Sequence, residues 1–130
     1  DDVHIAHRDL LDDISWIFDP IVIYKLNGKR GYYNVSTCRF ITDAEFNRAW
    51  QFSEGLAAVV KYNKEEFVSQ VGFINEAGEI VIPFQYEYVA GHDYIFRDGV
   101  AFIPDRWGSG GEIIDKRGEV VDVWDNSDSD

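Results

Sequence analysis

A β-hairpin pattern that occurs twice constrains the fold of this chain more than any other feature of the sequence. Residues 72–83 (GFINEAGEIVIP) place β-branched and aromatic residues on both sides of a turn that carries glycine at position 78. Residues 113–121 (IIDKRGEVV) repeat the order of two apolar residues, Asn or Asp, two turn residues, glycine, glutamate and β-branched residues. Recurring hairpins pack on one another because a single one cannot bury its apolar face. The sequence therefore predicts stacked antiparallel hairpins.

A degenerate copy of the pattern precedes these two. Residues 31–34 (Gly-Tyr-Tyr-Asn) align with residues 72–75 (Gly-Phe-Ile-Asn), which lie 41 positions further on. Thr37 takes the place of Gly78, so this copy lacks the turn glycine. Degenerate outer copies are expected of repeat proteins because the terminal units must end the stack.

Two further signals complete the repeat unit. Residues 52–59 and 96–103, which are 44 positions apart, share an aromatic residue, a polar residue, an acid, a glycine and then an apolar strand. The Asn27-Gly28 pair is a two-residue turn signal between the strand-like residues 21–26 and 29–35. The chain therefore holds about three hairpin units.

These motifs resemble the WG-repeat (KWG-repeat) family of bacterial proteins over residues 25–123. The middle unit, residues 52–89, matches almost throughout, and Arg106-Trp107-Gly108 in the third unit resembles the Trp-Gly pair that names the family. Residues 109–111 follow that pair as an insertion. Motifs and resemblance together predict a mainly β fold in which antiparallel hairpins form a coiled or partly closed sheet. The resemblance brings no catalytic motif.

Both ends of the chain depart from the hairpin pattern. Residues 1–20 carry apolar residues at roughly helical spacing between aspartates, so we expect an N-terminal helical cap. Residues 125–130 have the acidic, polar composition of a disordered tail. We also expect a helical turn within residues 42–50, capped by the Thr-Asp pair at its start. The prediction is one β domain over residues 1–124.

The net charge of −12 is large for 130 residues. Such a surface repels phosphates, which argues against nucleic acid as a direct partner, and it attracts basic proteins. Residues 21–64 carry seven Lys or Arg against three acids, whereas residues 65–130 carry fifteen acids against four basic residues. This asymmetry favours an oriented encounter with a charged partner. No apolar run approaches the ~20 residues of a membrane span.

Few residues suggest catalysis or metal binding. The single cysteine, Cys38, allows no disulfide framework, and we expect it to be a small buried residue. His4 and His7 have a metal-like spacing, but no further His or Cys completes a site. Residues 107–111 are glycine-rich and lack the Gly-Lys-Ser/Thr of a phosphate loop. We therefore expect no catalytic residue, no metal and no cofactor.

The remaining candidates for function are exposed aromatic and acidic residues at the irregular positions of the repeat, which are residues 90–98, residues 105–112 and the N-terminal helix. Aromatic and acidic side chains of this kind suit an interface against a basic protein. The residues that we expect to contact a partner are Glu87, Asp93, Tyr94, Asp98, Asp105 and Trp107.

We interpret the chain as a non-catalytic protein-binding module, in its sharper form an acidic immunity or inhibitor protein that neutralises a basic toxin or nuclease. One alternative is an extracytoplasmic accessory domain that binds glycans or cell-envelope components. Another is a hydrolase that uses a carboxylate pair from Asp93, Asp98 or Asp105. A lone cysteine fits a reducing compartment, so we expect a cytoplasmic location, or a periplasmic or secreted one if a signal peptide precedes Asp1.

Overall fold

The computed structural model of the protein describes residues 20–105 and 110–125 of the 130-residue chain. These residues form ten strands: β1 Ile21–Leu26, β2 Lys29–Asn34, β3 Arg39–Phe40, β4 Arg48–Ala49, β5 Leu56–Asn63, β6 Val68–Asn75, β7 Ile80–Glu87, β8 Val100–Pro104, β9 Gly110–Asp115 and β10 Val120–Asp125. The expected N-terminal helix and Trp107 lie outside the described residues. Asp125, which we expected to begin the tail, instead ends β10.

The strands are all antiparallel and lie in three sheets, which confirms the mainly β prediction. The first sheet has the order β1-β2-β3, the middle sheet β4-β5-β6-β7 and the third sheet β10-β9-β8. The described strands therefore form three separate sheets rather than one coiled or partly closed sheet, and no barrel closes among them. No helix that is long and apolar enough to cross a membrane occurs in the described ranges.

The recurring hairpins of the sequence have the same local structure in the middle and third sheets. Asn75 Oδ1 accepts hydrogen bonds from the backbone N–H groups two and four residues later, at 3.0 and 2.9 Å, and Asp115 Oδ1 does the same at 2.9 and 3.0 Å. The turn glycines Gly78 and Gly118 follow at φ +83° and +87°. A side chain that binds its own turn, followed by a residue with positive φ, is a local signal that sequence alone can reveal.

The middle sheet has two apolar faces, and each packs on a neighbouring sheet. One face packs with Tyr32 and Ile21 of the first sheet in a single buried cluster, and its members are Ala57, Val59 and Ile74. The other face packs with Ala101, Ile103 and Ile114 of the third sheet, and its members are Leu56, Ala58, Val60, Val71, Phe73 and Ile82. The domain is therefore a stack in which the middle sheet lies between the other two, as expected of repeat units that share a core.

The helical turn expected within residues 42–50 does not form, and the prediction was wrong. The backbone of Phe46 instead pairs with that of Arg30 in β2, through N–H···O distances of 2.7 and 3.1 Å. One residue later, Asn47 N donates to Val60 O at 2.7 Å. These backbone groups are satisfied by neighbouring strands rather than within a helix, and Phe46, 2% exposed, is part of the core.

Cys38 is exposed, so the prediction of a buried cysteine was also wrong. It ends the turn between β2 and β3 at φ +57°. Asn34 Oδ1 accepts from the N–H groups of Ser36 and Thr37 at 2.9 and 3.1 Å, and this organises the turn. Thr37, the residue that aligns with Gly78, thus belongs to a different and longer turn. In this turn the residue with the left-handed conformation is Cys38, one position later.

Candidate functional site

The face of the third sheet that points away from the middle sheet is the candidate site. Ala101 and Ile103 of β8 point to the middle sheet and are buried, at 3% and 5% exposed. Because successive side chains of a strand point to opposite faces, Val100, Phe102 and Pro104 lie on the other side. We call this side of the third sheet the outer face.

Strand pairing extends the outer face across β9 and β10. Phe102 is paired with Ile113 of β9, which is paired in turn with Asp122 of β10. Trp124 is two residues further along β10 and therefore on the same side as Asp122. Its side chain is 49% exposed, and its ring packs edge-to-face on Phe102 at a centroid distance of 5.9 Å.

Comparison with the middle sheet shows what is unusual about the outer face. The equivalent face of the middle sheet is covered by the third sheet, and there Ala58 and Phe73 are at most 1% exposed. On the outer face their counterparts, Phe102 and Ile113, stay partly exposed. Ile82 lies on the same face of the middle sheet, where it is fully buried and is paired with Phe73.

The counterpart of Ile82 on the outer face is Asp122, because each is paired with the equivalent residue of the neighbouring strand. Asp122 is exposed. The outer face thus joins exposed aromatic and aliphatic groups to a carboxylate at a position that is apolar inside the stack. This combination resembles a binding surface more than a core surface awaiting another sheet.

Further carboxylates surround the outer face. Asp115 lies on it at the end of β9, and the backbone N–H groups of Glu119 above all, then of Arg117, hold the pKa of Asp115 below its usual range. Asp98 and Asp105 lie just beyond the two ends of β8. These carboxylates make the rim of the outer face acidic, and Arg117 pairs with one of them, Asp115, at 3.6 Å.

Two of the six residues that we expected to contact a partner, Asp98 and Asp105, flank the outer face. Glu87 ends β7 in the middle sheet, and Asp93 lines a cleft at the edge of the stack. Trp107 lies outside the described residues. The six therefore do not form one surface among the residues that the structure describes.

Tyr94 requires a correction, because its ring is 1% exposed and cannot meet a partner. Its hydroxyl accepts a hydrogen bond from Val89 N at 2.9 Å, and its ring packs edge-to-face on Trp50 at 5.3 Å. Burial is the main cause that raises the pKa of Tyr94. Sequence reasoning had no means to separate this buried tyrosine from exposed ones, since large rings serve both roles.

The positions of the carboxylates decide whether they can form a metal site or a general acid–base pair. No group of three or more His, Cys, Asp or Glu residues that could hold a metal ion occurs in the described ranges. Six residues lie between Asp98 and Asp105, and the five of them that form β8 span roughly 16 Å. A general acid and base of a glycosidase lie within about 10 Å of each other. These two carboxylates therefore do not form such a pair.

Comparison with known protein families identifies the repeat. The family model for the WG containing repeat matches residues 31–64 and again residues 72–103. The chain belongs to the WG containing repeat family. No curated protein and no solved structure matches the chain. The two WG matches end at residue 103, so β9 and β10 with Ile113, Asp122 and Trp124 lie beyond the matched segments.

The sequence contained a signal for the outer face that we did not use. Residues 56–60 and 100–104 are equivalent strands of two WG units. The alternation of side chains along residues 100–104 therefore shows which side of that strand a further unit would cover. That side is apolar in both units. Asp122 and Trp124 are on β10, on the far side of β9, and their placement depends on an irregularity between Val120 and Asp122 that sequence does not reveal.

Proposed function

We propose that this WG-repeat chain is a non-catalytic module that binds a basic protein through the outer face of the third sheet. The observation that carries the proposal is the arrangement of the exposed Trp124 and Asp122 beside the partly exposed Phe102, an aromatic pair with a carboxylate inside an apolar patch. Interfaces commonly combine a few aromatic anchors with a polar rim. A lysine or arginine of the partner pairs with Asp122 while apolar groups cover the two rings.

The net charge of the chain indicates which kind of partner binds the outer face. A second copy also carries −12, so two copies repel each other. Another sheet of the same kind would enclose Asp122 without a cation, which is unfavourable for a carboxylate. A basic protein meets neither obstacle, and the acidic rim accelerates its approach.

In its sharper form the module is an immunity or inhibitor protein that neutralises a basic toxin or nuclease. The large negative charge on a single small domain supports this form, since such a surface competes with nucleic acid for a basic site. The inhibitor and its target form a tight, salt-sensitive complex.

The experiment starts with capture of basic proteins from the source cells on the immobilised chain at moderate salt, followed by release at high salt. The affinity of each released protein is then measured by calorimetry for the wild type, Trp124→Ala and Asp122→Lys. We expect each substitution to weaken binding at least about tenfold. Phe67→Ala is the matched control for the lost ring, because Phe67 is 80% exposed on a turn of the middle sheet. Glu76→Lys is the control for charge.

Equal affinity of the outer-face variants and the wild type would overturn the proposed surface. Self-association of the wild type that Trp124→Ala abolishes would overturn the proposed occupant in favour of a second copy. For the sharper form, the nuclease or toxic activity of the released protein is measured with and without the chain. Undiminished activity in the saturated complex would reject the inhibitor role.

A further inference from the structure

A cleft of about 310 Å³ lies where the first and middle sheets meet the segment that follows β7. Its polar and aromatic lining comes from β2, residues 48–50 and residues 88–93, and it consists of Arg30, Arg48, Trp50, Tyr88, His92 and Asp93. His92 of the lining contacts Phe102 of the outer face, so the two sites are neighbours. The charge of the cleft has the opposite sign to that of the chain as a whole.

The two arginines of the cleft are not neutralised by acids. Arg30 Nη1 donates to the backbone oxygen of Asn47 at 3.1 Å, and the guanidinium of Arg48 lies 5.2 Å from the ring centre of Tyr88. Within residues 20–105 and 110–125 neither forms an ion pair, although the chain has 24 acids. Asp93 is the one acid in the lining, so the cleft has a net positive charge.

Three other cations of the described chain do form ion pairs. Lys61 pairs with Glu45 at 3.0 Å, and Lys116 approaches Glu54 at 3.6 Å. Arg117 pairs with Glu119 at 3.1 Å. The cleft thus has in one lining two guanidinium groups that form no ion pair among the described residues. Guanidinium groups of this kind bind phosphate and carboxylate through paired N–H donors.

Backbone hydrogen bonds fix the main chain of Trp50, and packing on neighbouring rings, including the buried Tyr94, positions its side chain. Trp50 N donates to Ala58 O at 3.0 Å, and Trp50 O accepts from the Tyr32 hydroxyl at 2.5 Å. The Trp50 ring lies 6.0 Å from the ring of Tyr88. His92 is fixed by its Nε2 contact to Phe102 O at 3.0 Å. A preorganised aromatic wall loses little entropy when a flat ring stacks on it.

From this arrangement we infer that the cleft binds a small planar ring that carries a phosphate or a carboxylate. The anion pairs with Arg30 and Arg48, and the ring packs on Trp50 and Tyr88. Asp93 accepts a hydrogen bond from a hydroxyl or amino group of the ligand. The volume is at the lower end of the range for small-molecule sites, so the ligand has the size of a mononucleotide or an aromatic acid. This inference does not depend on the protein-binding role of the outer face.

Titration of the folded chain by NMR tests the inference with four probes. Adenosine 5′-monophosphate supplies ring and phosphate, indole-3-acetate supplies ring and carboxylate, adenosine supplies a ring alone and inorganic phosphate an anion alone. The indole N–H signal of Trp50 is the readout, and it is assigned by its loss in Trp50→Phe. We expect at least one ring-bearing anion to move this signal saturably, and adenosine and phosphate to bind at least tenfold more weakly than that probe.

The two ring-bearing anions distinguish a phosphate from a carboxylate ligand. An unmoved Trp50 signal with both at millimolar concentrations would overturn the inference. So would phosphate alone binding as tightly as the nucleotide, because the cleft would then not recognise a ring.

Arg48→Gln tests the role of the cation without disturbing the core, since Arg48 is exposed and its guanidinium lies over the ring of Tyr88. Loss of a charged hydrogen-bonding group should weaken binding of the saturating probe at least about tenfold. Arg39→Gln removes the same charge from an exposed position on β3, away from the cleft, and should leave the affinity unchanged. Equal affinities of Arg48→Gln and the wild type would reject the site.

Discussion

Glu54 accepts a hydrogen bond at 2.7 Å from the backbone N–H of Asp98, the residue that occupies its own position in the next repeat unit. The adjacent N–H of Gly99 donates to the same carboxylate at 2.9 Å. Both acids have positive φ, +56° and +54°, and both are followed by a glycine in the same conformation. One repeat thus binds the main chain of the equivalent turn in the next, and we call this contact the carboxylate clasp.

The clasp makes stability depend on pH. The N–H of Gly99 above all holds the pKa of Glu54 below its usual 4.5, so the clasp stabilises the fold fully above that pH and is lost as pH falls through the lower folded value. We expect the melting temperature of Glu54→Gln to fall less between neutral pH and pH below 4.5 than that of the wild type. Circular dichroism melts measure this difference. Glu76→Gln, at the exposed tip of the β6–β7 turn, should follow the wild-type profile, and a wild-type profile for Glu54→Gln would contradict the prediction.

Gly78 should be less replaceable than other glycines with positive φ. A Cβ at Gly78 would lie 2.7 Å from Ile41 O, whereas a Cβ at Gly28, with nearly the same φ, would meet nothing within 4 Å. Alanine costs about 1–2 kcal/mol at either site because of the left-handed conformation. Gly78→Ala should cost at least about 1 kcal/mol more than Gly28→Ala, since the first sheet must move. Urea unfolding measures both, and equal costs would show that the two sheets pack loosely there.

Two isoleucines on β7 should differ strongly in their contribution to stability. Ile82 is fully buried between the middle and third sheets, and Ile80, two residues earlier, is 56% exposed. Ile82→Ala should lower the free energy of unfolding by about 2–5 kcal/mol through lost contacts and a cavity. Ile80→Ala should cost less than about 1 kcal/mol. Similar losses in urea unfolding would mean that the third sheet does not cover Ile82 in solution.

Tyr32 should stabilise the fold at neutral pH, and this stabilisation should be lost at alkaline pH. Its hydroxyl donates to Trp50 O at 2.5 Å, and burial raises its pKa far above the usual 10.0. Stability from this group is full below pH 10 and is lost at higher pH, because the tyrosine ionises more readily in the unfolded chain.

Tyr32→Phe should therefore cost about 1 kcal/mol at neutral pH and lose stability less steeply than the wild type above pH 10. Denaturation at a series of pH values checks both expectations. Tyr62→Phe removes a hydroxyl from a side chain that is 47% exposed, so at neutral pH its effect should stay within about 0.5 kcal/mol. A Tyr32→Phe curve parallel to that of the wild type in alkali would contradict the role of burial.

The parts of the fold that the sequence predicted are those with local causes. Asn75 and Gly78 form their turn from contacts within five residues, and Asp115 and Gly118 form the same turn. A short sequence motif is therefore enough to specify the structure of this turn. Phe46 shows the limit of local reasoning. Its surroundings have helix signals, yet its backbone pairs with Arg30, sixteen residues away in the sequence, and such pairing outweighs a weak local preference.

The candidate site was harder to predict than the fold. Tyr94 and Trp124 are both large aromatic residues in irregular or terminal segments, but the first is 1% exposed and the second 49%. Burial of a ring depends on which sheet lies above it, and that depends on the order of stacking. Asp122 could be recognised only when its pairing with Ile113 was known, because the register shifts just before it.

The carboxylate clasp has a consequence for how such chains can change length. Glu54 binds main-chain N–H groups, so the turn that it holds can vary in side chain as long as the left-handed conformation is kept. Lys116 adds only a 3.6 Å contact to the same carboxylate. The clasp therefore joins two consecutive units at their equivalent turns and does not itself specify the length of the segment between them.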